Sequence, residues 1–511
     1  MINTWAVIVP PILVLILAFA THRVITSLLI GVLTSALIAN NFYVFPSITT
    51  SINRLWGEVS DISNLFIFIF LFCVGIIIVL INQTGGTKAY AEFVRKKLKS
   101  KKSAEISSVI LSLFFFIDEY LNIITVGSVM KPLTDKFKIA RTKLAFLVKA
   151  LAAPLCIIAP ISSWGAFIIG QLGNSGVSKN ISPETTIIAS PLNLFVQTIP
   201  FSFYTLTMIA SVYFIVMRKI SFGLMKEHEQ IASKTENLFG GKKPKNISKD
   251  VVVKDAHMYD FLFPIIFLVG SCFIALFFTD FVPQPALFFG GTITLIATIL
   301  FLLFRKKIRI KEIMPYGKNG INLMLASVIT VTIAWTFSDV ITLDLHTGEY
   351  LASKLTGIIS PMMLPIIFFI ASTITALATC SAWGSIAILI PIAIQMLLSL
   401  KNIPGPIVME VIPVIFPTIS AILSGAVAGN QLSPVSDITV MTVTSTGAYH
   451  MDHVKTQLEY ILIVIFSAAI SFLMSGILIQ WPLYQNAFTS LFTGITTAII
   501  LFLIMNIIRR K

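Results

Sequence analysis

Four ionisable side chains fall inside long apolar stretches of this chain: Asp118, Glu119, Lys149 and Asp437. A charge at bilayer depth costs several kcal/mol, so it persists only where it is paired, hydrated or used. Asp118 and Glu119 are neighbours, and two carboxylates in a low-dielectric site repel, which favours protonation of at least one of them. A proton and a metal cation then compete for the same oxygens. Asn122 and Thr125 lie nearby; with backbone carbonyls freed by a helix break they add ligands for a hard cation such as a transiently bound Na+. The plainer role for either acid is to cap a half-helix or to pair with Lys131.

Other polar groups stand where the apolar runs are interrupted. Asp437 follows Ser433-Pro434-Val435-Ser436 and opens a second half-helix, a position where capping and ligand roles are compatible. Ser162 and Ser163 come after Pro154 and Pro160. Thr379, Ser381 and Ser385 surround Cys380, and Asn430 and Gln431 precede Ser433. Each set can bind a cation, proton or substrate, or merely satisfy backbone groups that a break exposes. Lys149 lies about two turns into its span, so it either snorkels to the interface or serves as a fixed positive partner for a site carboxylate. Trp164 and Trp383 read as packing residues around Gly165 and Gly384.

Rival motifs are weak. His450-x-x-His453 with Asp452 reads as a solvated turn rather than a metal site, and Ser424 lacks the first glycine of a nucleophile elbow. The four cysteines sit singly in apolar segments, which implies neither a disulfide framework nor a metal centre. No nucleophile–base pair marks an enzyme, and no cofactor motif is present.

The elements that position these groups follow from composition. Of 511 residues, 56% are hydrophobic and 12% charged, more apolar surface than a soluble core can hide. Runs of roughly 20 apolar residues recur, each long enough to span the hydrocarbon layer as a helix. The net charge of +14 does not point to nucleic acid, because 30 of the 37 Lys and Arg residues cluster at 88–102, 131–143, 218–254, 305–318 and 509–511, between apolar runs. The positive-inside rule places all five clusters on the cytoplasmic side. Spans are then expected near 5–21, 24–45, 63–82, 144–172, 191–217, 259–279, 285–304, 319–340, 411–450, 456–480 and 486–508, with the N-terminus outside and the C-terminus inside. The first span has no basic n-region and is expected to be retained.

Two segments must turn back. Residues 104–130 are flanked by cytoplasmic clusters and would reach ~40 Å as one helix, so a re-entrant hairpin with Asp118-Glu119-Tyr120 near its tip is predicted. Residues 361–400 give the mirror case, with a polar break over 378–385. The chain reads as an all-α polytopic membrane protein with about 11 transmembrane helices plus two oppositely oriented re-entrant hairpins. Residues 1–217 and 259–480 form an inverted-topology repeat, each with a broken span (144–172 and 411–450). A basic cytoplasmic loop at 218–258, expected to be flexible, joins them, and 481–511 adds a C-terminal helix. Inverted repeats of this kind place a binding site near mid-membrane, where broken elements meet.

The motifs resemble the NhaC-type sodium/proton antiporter family, within the ion-transporter superfamily of inverted repeats with two hairpins. The resemblance covers most of the chain: Thr84-Gly85-Gly86, Phe116-Ile117-Asp118-Glu119-Tyr120-Leu121-Asn122, Ile158-Ala159-Pro160-Ile161-Ser162-Ser163-Trp164-Gly165, Ser381-Ala382-Trp383-Gly384-Ser385, Leu432-Ser433-Pro434-Val435-Ser436-Asp437 and Asp452-His453-Val454-Lys455-Thr456-Gln457. It implies exchange of sodium for protons in the cytoplasmic (inner) membrane, and some relatives exchange organic acids. It also implies a homodimer. Family members usually carry a second aspartate at Glu119, an aspartate at Lys149, and Gly-Asp-His at Gly429-Asn430-Gln431. The last two departures shift the charge of the expected site by about three units toward positive. The alternative expectation is therefore proton-coupled or exchange transport of a small organic acid or amino acid, with Lys149 as a charge clamp.

Overall fold

A computed structural model describes residues 4–509 except 22, 87–88, 90–91, 93–99, 183–184, 244–256, 280–282, 348–349, 351–353, 355–359, 380, 402–405 and 435; a few further side chains within helices, those of Thr379 and Asp437 among them, also lie outside the description. The chain is helical nearly throughout. Eight helical runs among the described residues are long and apolar enough to cross a membrane, and shorter apolar helices accompany them. Large apolar side chains such as Phe278, Phe304, Phe488 and Phe492 stay exposed on these helices, as lipid-facing surface does.

The first helices are α1 (Val9–Thr21), α2 (Val24–Ala39), α3 (Val44–Ser60) and α4 (Ile62–Gln83). The span expected over 24–45 stops early, because Asn41 and Phe42 take left-handed backbone conformations and turn the chain. The unforeseen α3 is amphipathic with its faces exchanged: Phe45, Ile52 and Trp56 are exposed while Ser47, Ser51 and Glu58 are buried. An apolar outer face and a polar inner face suit a helix lying against lipid.

The segment expected as the first hairpin is two helices, α5 (Lys101–Phe114) and α6 (Glu119–Lys136), joined through a break at 115–118. The first broken span follows as α7 (Arg141–Ile157) and α8 (Ser163–Asn174). Pro154 and Pro160 remove donors on either side of that break. The span expected over 191–217 is itself interrupted: α9 (Pro191–Thr198) passes through a 3-10 turn containing Pro200 into α10 (Phe203–Arg218).

The joining loop is not loose over its described part. It forms α11 (Gly223–Thr235), and the chain as far as Lys243 is held down. Arg141 takes the Leu238 carbonyl on its backbone N–H and stacks its guanidinium on Phe239, and Tyr449 donates to the Lys243 carbonyl. The stretch expected to be flexible thus packs across the ends of α7 and of the helices near Tyr449. Its remainder, 244–256, lies outside the described residues.

The later helices are α12 (Tyr259–Phe278), α13 (Pro283–Phe304), α14 (Ile310–Asp339), α15 (Leu364–Thr379), α16 (Ala382–Lys401), α17 (Ile415–Leu432), α18 (Asp437–Thr446), α19 (His450–Ile477) and α20 (Leu483–Ile508). The interruption expected over 429–434 falls slightly later, between Leu432 and Asp437, so Asn430 and Gln431 sit in the last turn of α17. Helix α15 lies directly on α17. A Cβ on Gly425 would come within 2.5 Å of the Phe369 carbonyl oxygen, and one on Gly429 within 2.2 Å of that of Thr373. Only a Gly-x-x-x-Gly face permits this approach. Strands β1 (Val177–Ser178), β2 (Ile187–Ile188) and β3 (Ile407–Val408), not anticipated, form a small parallel sheet.

Candidate functional site

Asp118 and Glu119 lie at the start of α6 and are 2% and 1% exposed. Asp118 is the N-cap: one carboxylate oxygen accepts from the Leu121 N–H at 2.9 Å. The other accepts from the Ser163 hydroxyl at 2.8 Å. Ser163 opens α8, and its backbone N–H reaches the Ile117 carbonyl at 2.9 Å, so the two breaks are tied to each other. Asp118 therefore caps α6 with one oxygen and joins the two breaks with the other. Carboxylates are favoured at helix N-termini, where unpaired N–H groups carry partial positive charge.

Ser162 and Ser163, alike in sequence, divide their work. Ser162 caps α8 through the Gly165 N–H and donates to the Cys156 and Ala159 carbonyls, which closes the break internally. Ser163 alone turns to the carboxylate. Asn122 donates to the Ser112 carbonyl at 2.8 Å, folding the end of α5 onto α6. Among the described residues its side-chain oxygen has no partner, and neither does the Thr125 hydroxyl; both residues are fully buried. On a helix, positions 118, 122 and 125 share one face. Two orphaned oxygens below a buried carboxylate pair leave ligand capacity that the protein itself does not use.

Trp383 belongs to this group, against the expectation of a packing residue alone. Its indole N–H points at Glu119 Oε1 from 3.5 Å, and its ring packs on Trp164 with centroids 5.3 Å apart. Ser381 caps α16 by accepting from the Gly384 N–H at 3.2 Å, and Ser385 donates back to the Ser381 carbonyl. The start of α16 is thereby brought to the carboxylates. The side chain of Thr379 lies outside the described residues.

Lys149 is 0% exposed and so does not snorkel to the interface. Its described hydrogen bonds go to the second break. Its ammonium donates to the Gln431 carbonyl at 2.8 Å and to the Thr439 hydroxyl. Gln431 answers with its side-chain N–H on the Lys149 carbonyl at 3.0 Å, while Tyr204 donates to the Gln431 Oε1. Gln457 donates to the same Gln431 carbonyl at 3.1 Å. Ser436 and Thr439 cover the Asn430 and Ser433 carbonyls. Asn430 keeps one unpartnered side-chain oxygen, and Ser433 is fully buried. Asp437 opens α18 with its side chain outside the described residues.

The His450/His453 pair is not a solvated turn. Both residues lie in the first turn of α19; His453 is fully buried, and neither of its ring nitrogens has a partner among the described residues. Among the described residues no group of three or more His, Cys, Asp or Glu could hold a metal.

A multi-pass helical protein with helices broken around buried carboxylates is a membrane transporter in form. The model of the Na+/H+ antiporter family matches residues 1–189 and 155–477, and the chain belongs to that family. It is a secondary transporter, not an enzyme. An uncharacterized protein of Haemophilus influenzae is 28% identical over 498 residues, covering 93% of this chain and 91% of its own. Among solved structures, the YdaH transporter of Alcanivorax borkumensis, described as having an unusual topology, aligns with a TM-score of 0.49 at 15% identity, over 85% of this chain and 89% of its own. MtrF of Neisseria gonorrhoeae, described within a class of antimetabolite efflux pumps, aligns at 0.42 and 14%, over 86% and 85%.

Proposed function

We propose that the protein exchanges sodium for protons, with Asp118 and Glu119 as the shared site. The observation that carries this reading is the buried carboxylate pair with the unpartnered oxygens of Asn122 and Thr125 on the same helix face. Sodium prefers several oxygen ligands, and a proton prefers one carboxylate; the two occupants exclude each other. Occupation from alternate sides then gives antiport. The charge clusters supply the orientation of this proposal: N-terminus outside, C-terminus inside the cytoplasmic membrane, α5–α6 and α15–α16 entering as hairpins from opposite sides, and two inverted halves. An organic-acid clamp at Lys149 gains no support, since that ammonium is engaged by Gln431 and Thr439.

Everted vesicles carrying a pH-sensitive dye test the reading. Sodium should drive proton release from the vesicle interior, and Asp118→Asn should abolish it. A wild-type protein silent to sodium, lithium and potassium sinks the proposal.

A further inference from the structure

The second break has the chemistry of a cation site that is already filled. The last carbonyls of a helix have no partner within it, and the helix end carries partial negative charge. At the end of α17 the Gln431 carbonyl meets the Lys149 ammonium, which also takes the Thr439 hydroxyl oxygen. A carbonyl at an unwound helix end and a threonine hydroxyl are ligands of the kind an alkali cation takes. The pocket is closed: Lys149, Gln431, Thr439 and His453 are all fully buried.

Among the described residues, Tyr204 of α10 and Gln457 of α19 bond the same Gln431 that holds the ammonium. His453 lies one turn from Gln457, which shares the Gln431 carbonyl. Among the described residues its two ring nitrogens have no partner, and it is fully buried. A second positive charge beside the ammonium would repel it strongly in such surroundings. The oxygens at this helix end thus hold one cation, the ammonium.

We infer that the Lys149 ammonium is a resident, covalently tethered cation occupying an alkali-ion position at the end of α17, so that this second site binds no free sodium. The inference does not depend on which ion Asp118 takes. It says that a sodium site exists at the second break and is withheld by one side chain.

Counting radioactive sodium bound per chain on purified full-length protein tests it. Lys149→Ser leaves space and adds a hydroxyl ligand, and is expected to bind one sodium more than the wild type. Lys149→Arg keeps the charge and is expected to leave the count unchanged. Should the serine variant not elute as a single folded species, Lys149→Gln takes its place with the same expected gain. A folded variant of either kind with the wild-type count overturns the inference, as does a gain in Lys149→Arg. A wild type that binds no sodium sinks the antiport reading, whereas a gain of one site in the serine variant still supports this one.

Discussion

The two broken regions solve opposite electrostatic problems. At the first, carboxylates stand at the start of α6, where the helix end is positive, with Ser163 of α8 bonded to one of them, and two oxygens nearby have no partner among the described residues. At the second, an ammonium stands at the end of α17, where the helix is negative, and the carbonyls of Asn430, Gln431 and Ser433 are each covered by a donor. The orphaned oxygens at the first break lie beside carboxylates, whereas at the second the helix-end carbonyls are taken up by donors and the Asn430 side-chain oxygen is left over.

The sharpest way to break this comparison is to remove each charge in turn. Lys149→Met leaves the Gln431 carbonyl one donor short in a closed site. Deleting one partner of a buried charged network costs about 3–5 kcal/mol, so a large drop in the thermal unfolding temperature is expected. Asp118→Asn should leave stability nearly unchanged, since asparagine caps helices as well as aspartate does, while exchange is lost. The reverse pattern, a stable Lys149→Met and an unfolded Asp118→Asn, would exchange the roles of the two breaks.

A smaller effect sharpens the first break. The Ser163 hydroxyl favours the charged form of Asp118, and a hydrogen bond to a charged group contributes about 1.5–3 kcal/mol. In Ser163→Ala a proton should compete better for the carboxylate, raising the sodium concentration for half-maximal exchange about tenfold at fixed pH. Ser162→Ala, which touches no carboxylate, should instead lower stability and leave that concentration alone.

Much of this arrangement was legible in the residues, for identifiable reasons. Hydropathy and charge clusters mark the long helices because lipid permits few alternatives. Pro154, Pro160 and Pro434 mark the breaks because each lacks a backbone donor. What stayed hidden depends on partners distant in sequence. Lys149 and Gln431 are 282 positions apart, and no local pattern joins them. The exchanged faces of α3 defeat the rule that apolar residues point inward, since lipid rather than water lies outside. The order in 219–243 comes from Arg141, Tyr449 and Asp452, not from its own apolar content. Gly425-x-x-x-Gly429 was a readable signal for the close contact of α15 with α17.

Outside both breaks, Glu58 gives a third acid for comparison. It lines a cavity of about 390 Å3 with Asp61, Asn64, Asn174 and Asp339. Burial first, and then the neighbouring Asp339 carboxylate, push its carboxyl up to about 9 from an ordinary 4.5. Between those values the folded protein holds a proton that the unfolded chain has released. Stability from this group is therefore complete below about 4.5, falls as pH rises, and levels off above about 9. Unfolding temperatures of the purified protein across that range should decline less steeply in Glu58→Gln. A cavity of this size can admit water, which would relax part of the penalty, so the effect should be smaller than that at Lys149. An unaltered slope would remove Glu58 as a titrating group.

The smallest expected effect concerns the strap that links the two broken regions at their far ends. Lys242 bonds Asp452 at 2.6 Å, joining the chain after α11 to the first turn of α19, while Arg141 ties the same strap to α7. Lys242 is 53% exposed, and ion pairs so open to water contribute about 0–1 kcal/mol. Lys242→Ala should thus shift the unfolding temperature little, and salt should erase the shift. The contrast with Lys149 is the point of the measurement: two lysines each bind the second half of the chain to the first, but only the sealed one has no water to replace its partner. A loss in Lys242→Ala as large as that in Lys149→Met would mean that burial is not what separates them.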